Sequence, residues 1–132
     1  MNGAADGDGL RIAPVYDGRD PVTGPYFSHD HDRISDPAER DRIAAFMRDG
    51  LVVLRSTARD LDVIDPGRGT AVPGSFRTDG TWVWNDALMY YVREHGIAPS
   101  AEFYAHVVAC GYQCPQPQPS AAEAALRRLM PR

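Results

Sequence analysis

Only two of the 132 residues are cysteine, Cys110 and Cys114, too few for the disulfide framework of a small secreted domain. Reduced thiols are expected. No stretch approaches the roughly 18 consecutive apolar residues of a membrane-spanning helix. Met1 to Asp8 has no basic segment followed by an apolar run, so a secretory leader is not expected either. The compartment these absences point to is the cytoplasm. Excess positive charge is also missing, with 14 Lys and Arg against 18 Asp and Glu and a formal net charge of −4. Nucleic acid and acidic membrane surfaces need clustered cations, so neither is an expected partner. A basic protein is electrostatically easier.

Assembled catalytic motifs are absent as well. The glycines between Asp65 and Gly74 lack the Gly-Lys-Ser/Thr ending and the following helix of a phosphate loop. Nucleophile-elbow and dinucleotide-binding patterns do not occur, and no cofactor is implied. His106, Cys110 and Cys114 are spaced by four, but Gly111 interrupts a helix there and no fourth ligand is near in sequence. His106 and Cys110 as base and thiol lack an identified orienting group. In an extended run His29-Asp30-His31-Asp32 would put its histidines on one face and its aspartates on the other. One ion could not readily use all four, so an exposed acidic loop is expected and no metal site.

What the chain does have is an ordinary globular balance, 43% hydrophobic and 24% charged. At this length one core can bury roughly two-thirds of the unfolded surface. Residues 1–33 are rich in Gly, Asp and Pro and read as an irregular arm, with Val15-Tyr16 and Pro25-Tyr26-Phe27 able to dock. Residues 34–112 read as the core domain. Asp36-Pro37-Ala38-Glu39 has a cap, a first-turn proline and a capping-box glutamate, predicting a helix to about Asp49 that buries Ile43, Phe46 and Met47. Gly50 is its expected left-handed stop. Leu51–Leu54 and Leu61–Ile64 are expected strands. Asn85 should cap a helix to about Glu94 that ends at His95-Gly96, and Pro99-Ser100 should start another that ends at Gly111. Residues 113–132 read as a Gln/Pro linker and a short helix capped at Ser120. The expected fold is α+β, with a small antiparallel sheet of about four short strands against three or four helices.

The most informative segment is the hairpin around Asp79-Gly80, a dipeptide that suits a tight primed turn. A two-residue turn would set Thr78 opposite Thr81, Arg77 opposite Trp82 and Phe76 opposite Val83. Ser75, Arg77, Trp82 and Trp84 then share one face, and Phe76, Thr78, Thr81 and Val83 the other. With only one face expected in the core, there are two alternatives. Either the tryptophans are core, or they form an exposed patch with Arg77 of the kind found at binding hot spots. On the next helix Leu88, Met89, Tyr91 and Val92 point inward, while Asp86, Tyr90 and Glu94, spaced by four, line a different, acidic side.

The run Asp62-Val63-Ile64-Asp65-Pro66, then Val72-Pro73-Gly74-Ser75-Phe76-Arg77-Thr78-Asp79-Gly80-Thr81-Trp82-Val83-Trp84, Tyr90-Tyr91, His95-Gly96 and Ala98-Pro99, resembles short uncharacterised proteins of high-GC Gram-positive bacteria. It covers about residues 14–112. The resemblance implies an antidote-like partner of a secreted toxin and transfers no catalytic residue. The leading expectation is therefore a non-catalytic protein-binding module, in its specific form an immunity protein against a basic toxin domain. Its contact residues would be Arg77, Asp79, Trp82, Trp84, Asp86, Tyr90 and Glu94. The alternative is a small enzyme or an anion-binding domain, with a pocket at residues 74–95, Arg77 on the anion, and Asp79, Asp86 or His95 titrating. A pocket where those side chains converge would favour it.

Overall fold

A computed structural model describes residues 9–130. The fold is α+β. Helix α1, Pro37–Arg48, starts where Asp36 accepts the Ala38 N–H at 3.0 Å, with Pro37 in the first turn. It buries Ile43, Phe46 and Met47. Glu39 turns its carboxylate to the hydroxyls of Tyr104 and Tyr112 and to Arg42. Gly50 is not the left-handed stop, since its φ is not positive. A Cβ there would lie 2.5 Å from Trp84 Cζ2, so glycine is required by close approach of the indole.

Among the described residues eight short strands follow the chain: β1 (Arg11–Ile12), β2 (Gly18–Asp20), β3 (Gly24–Tyr26), β4 (Leu51–Leu54), β5 (Arg59–Asp60), β6 (Val72–Pro73), β7 (Phe76–Thr78) and β8 (Trp82–Asn85). The main sheet has the order β1-β8-β7-β4; β2 pairs with β3, and β5 with β6. The main sheet is mixed, because β1 runs parallel to β8 while the other pairs are antiparallel. This corrects the wholly antiparallel expectation. Residues 9–33 are also more regular than expected, with Leu10 and Ala13 buried and three strands formed. The expected strand Leu61–Ile64 does not form. Asp62 Oδ1 accepts the N–H groups of Ile64 at 2.9 Å and Asp65 at 2.8 Å, folding the chain into a turn before the 3₁₀ helix Pro66–Arg68.

The β7–β8 hairpin pairs Phe76 with Asn85, Arg77 with Trp84 and Thr78 with Val83, two residues away from the tight-turn register. Asp79 causes the shift: its Oδ1 accepts the N–H groups of Thr81 and Trp82, each at 2.9 Å, widening the turn. A shift of two preserves the alternation, so Arg77 and Trp84 still share a face.

Helix α2, Asp86–His95, begins where Asn85 accepts the Ala87 N–H and ends at Gly96, whose φ of 71° is left-handed. Helix α3, Ala101–Ala109, follows Ser100 as expected, and Gly111 turns the chain after it with a φ of 64°. Helix α4, Ser120–Leu129, has Pro119 and not Ser120 at its cap. None of the described helices is long and apolar enough to cross a membrane.

Both faces of the main sheet are covered. Trp82 and Trp84 pack with Phe46 of α1 and Phe103 of α3, with ring centroids 5.3 to 5.8 Å apart. On the opposite face Val83 joins Leu10 and Ala125 of α4, with Phe76, Val53 and Leu129 against them. The expected choice between a dry face and a wet face is resolved by a second layer, supplied by α4.

Candidate functional site

The expected contact residues are distributed among separate internal pairs. Trp84 is fully buried and donates its indole N–H to the Met47 carbonyl at 3.1 Å, and Trp82 is 4% exposed. Arg77 Nε donates to Asp86 Oδ1 at 2.9 Å, and its Nη1 donates to the carbonyls of Arg48 and Gly50. Asp79 Oδ2 lies 2.6 Å from His106 Nε2, Tyr90 donates to Asp62, and Glu94 accepts from Arg68. The exposed tryptophan patch and the open acidic helix side are therefore both corrected. Buried polar side chains need partners, and these residues find theirs within the fold. The alternative site does not assemble as expected: Arg77 meets Asp86, but Asp79 and His95 are engaged elsewhere, by His106 and Asp62, and none of the four lines the clefts described below.

Asp62, absent from the expected set, anchors the densest polar cluster. Its buried carboxylate receives Tyr90 Oη at 2.7 Å, His95 Nε2 at 2.7 Å and the two turn amides. Burial alone would raise its pKa. Hydrogen bonds from His95, the Asp65 amide, Tyr90 and the Ile64 amide overcome that and hold it at about 2. Tyr91 accepts the Val63 N–H next to it. A carboxylate so fully donated to is a poor general base and a good structural anchor.

His106 faces Asp79 and Cys110 with one nitrogen: Nε2 is 2.6 Å from the carboxylate and 3.7 Å from Sγ. An Asp-His-Cys relay needs the two ring nitrogens to divide those roles. Burial first, and then the charge of Asp79, raises the Cys110 pKa; the same two causes push Cys114 up to about 12. Neither is an activated thiolate. Among the described residues no three His, Cys, Asp or Glu side chains are grouped as a metal ion requires.

Within the His29–Asp32 run, His31 is not an exposed loop residue. Its Nδ1 lies 2.8 Å from Asp17 Oδ2 and 2.9 Å from Oδ1, and its Nε2 lies 2.8 Å from the Ala98 carbonyl oxygen.

Two open concavities lie at the side of the molecule built by residues 12–25. One, of about 250 Å³, is lined by Tyr16, Arg19, Thr23, Pro25, Asp60 and Leu61. The second, of about 310 Å³, is mainly apolar and is walled by Ile12, Val15, Phe76 and Asn85. Tyr16 and Asp60 belong to both. Ile12, on the first wall of the larger cleft, is 38% exposed, and Leu61, in the smaller, is 49% exposed. The β2–β3 turn next to the smaller cleft holds up Val22 and Tyr26, also exposed. Among the described residues no side chain pairs with the Asp60 carboxylate. The sequence signalled Val15-Tyr16 and Pro25-Tyr26-Phe27 as docking pieces; it did not signal that Asp60 would meet them. In comparisons with known proteins, the chain matches no family model, no curated protein and no solved structure.

Proposed function

We propose that this chain is a non-catalytic protein-binding module that receives its partner on the two clefts joined at Tyr16 and Asp60. The observation behind the reading is the coincidence of concavity, exposed apolar side chains and an unpaired carboxylate on one side of the molecule. Exposed apolar groups rimmed by polar ones are the composition of contact surfaces. The interior histidines and carboxylates are already committed to one another, which favours recognition over acid–base chemistry. The net charge of −4 and the free Asp60 favour a basic partner. The specific form of the reading is an immunity protein that neutralises a cognate toxin, acting from the cytoplasm.

The test is quantitative capture of partners from native lysate by the wild-type chain, by Ile12→Glu/Leu61→Glu and by Val108→Glu. Val108, on α3, is 48% exposed and serves as the matched control. A partner held by wild type and Val108→Glu but lost by the double variant supports the reading. No partner at all, or equal capture by all three, overturns it. For the immunity form, co-expression with the product of a neighbouring gene should restore growth only when the clefts are intact.

A further inference from the structure

The two partners of His31 are both acceptors. Ala98 offers a carbonyl oxygen to Nε2, and Asp17 offers both carboxylate oxygens to Nδ1. An imidazole that donates from both nitrogens must hold a proton on each, so the ring is the imidazolium in this arrangement. It bridges two parts of the chain far apart in sequence: Asp17 at the base of the β2–β3 hairpin, and Ala98 at the junction of α2 and α3. Asp17 also accepts the Ser28 N–H at 2.7 Å, so hairpin base, Ser28 and junction meet at one charge.

We infer that His31 is a proton-operated clamp: charged, it ties residues 16–31 to the α2–α3 junction, and deprotonation loosens them and the cleft walls they supply. A neutral ring donates from one nitrogen only, so either Asp17 or Ala98 would then face a lone pair. The charged groups that meet the ring are anionic, Asp17 across the hairpin base and Asp32 next along the chain. From the junction it meets the Ala98 carbonyl, and from the hairpin side the edge of Phe27, with centroids 5.5 Å apart. Burial by itself would lower the His31 pKa, but the Ala98 carbonyl and Asp17 outweigh it and raise it above 6.5. A raised folded-state value means that the clamp contributes fully below 6.5 and is lost as pH rises through the folded pKa. Asp17 is shifted the other way: the hydrogen bonds of His31 and Ser28 outweigh its burial and hold it below 3.8. The carboxylate is therefore already charged wherever His31 titrates.

The mechanical consequence is local. Backbone bonds beyond the clamp, Ala98 N–H to Asp32 at 3.0 Å and Ile34 N–H to Gly96 at 2.7 Å, do not depend on His31. The tilted and edge-on ring contacts among Tyr16, Phe27 and Tyr91 also remain. What is released is the tether of the hairpin, which carries Arg19, Thr23 and Pro25 of the smaller cleft. The clamp stands whether or not a protein binds there.

The test is an NMR titration of the intact chain that follows the ring nitrogens of His31 and the exchange of the Asp17 and Ser28 amides. Expected are two protonated ring nitrogens below the midpoint, a midpoint above 6.5, and amide exchange about tenfold faster above that midpoint after correction for base catalysis. In Asp17→Asn the His31 midpoint should fall. In His31→Gln, whose amide cannot titrate, the pH step in exchange should vanish. A wild-type midpoint at or below 6.5, a single ring proton at a pH well below 6.5, or exchange without a step would each overturn the clamp, even if neither variant folds.

Discussion

Arg77 reaches across the hairpin's end to Asp86, the first residue of α2, with Nε 2.9 Å from Oδ1 and only 20% and 8% of the two side chains exposed. The guanidinium also closes the α1 terminus through the Arg48 and Gly50 carbonyls. Strand, helix start and helix end are thus joined at one cation. Removing one member of a buried pair leaves the other desolvated and unmatched. Arg77→Ala should therefore cost about 3 kcal/mol in urea unfolding, and Asp86→Ala a comparable amount. The double variant should cost clearly less than the two added together, which a double-mutant cycle measures.

The tryptophans are core side chains, so Trp84→Ala should cost about 3 to 5 kcal/mol. In the wild-type chain both indoles should emit at short wavelength and resist quenching by acrylamide. Strong quenching of the native state would contradict their burial.

Asp62 gives the fold an acid limit. Its folded-state pKa of about 2 lies below its ordinary 3.8, so its contribution is present above 3.8 and lost as pH falls towards 2. The shift corresponds to about 2 kcal/mol at neutral pH. Asp62→Asn should be less stable than wild type by that order at pH 7, and the gap should narrow between pH 4 and pH 2 in a denaturant series.

Gly50→Ala tests close approach. Its new methyl would press into the Trp84 ring, at a cost of about 1 to 3 kcal/mol with altered tryptophan emission. Gly24→Ala makes a useful contrast: a Cβ there meets nothing within 4 Å, but the φ of 90° is unfavourable for alanine. Destabilisation at Gly50 should come with a spectral change and at Gly24 without one.

How far the sequence revealed this fold depended on the range of the interaction. The caps Asp36, Asn85 and Ser100, the stop at Gly96 and the inward Leu88, Tyr91 and Val92 of α2 were legible, because each is decided within one or two helical turns. The hairpin faces were legible even though the register was not: Asp79 widened the turn by an even step, which leaves side-chain alternation unchanged. The parallel pairing of β1 with β8 left no local mark, since Arg11 meets Trp82 from the far end of the chain. Nor did composition reveal that Asp86, Tyr90 and Glu94 would be consumed by Arg77, Asp62 and Arg68. Polar periodicity shows that a helix side is polar, and does not distinguish water from a buried partner. The clefts were hidden for the same reason, because they exist only where residues 12–25 come to lie beside Asp60.

The double covering of the main sheet has a consequence for the order of assembly. As a chain is synthesised, β7, β8, α2 and α3 are sequence neighbours and can associate as soon as they emerge. Leu10 and Val53 precede the hairpin, but the rest of the layer over Val83 and Phe76 must wait for Ser120–Leu129. A nascent chain that has reached the Pro/Gln linker therefore presents an adhesive sheet surface, and chaperone dependence and aggregation should peak in that interval.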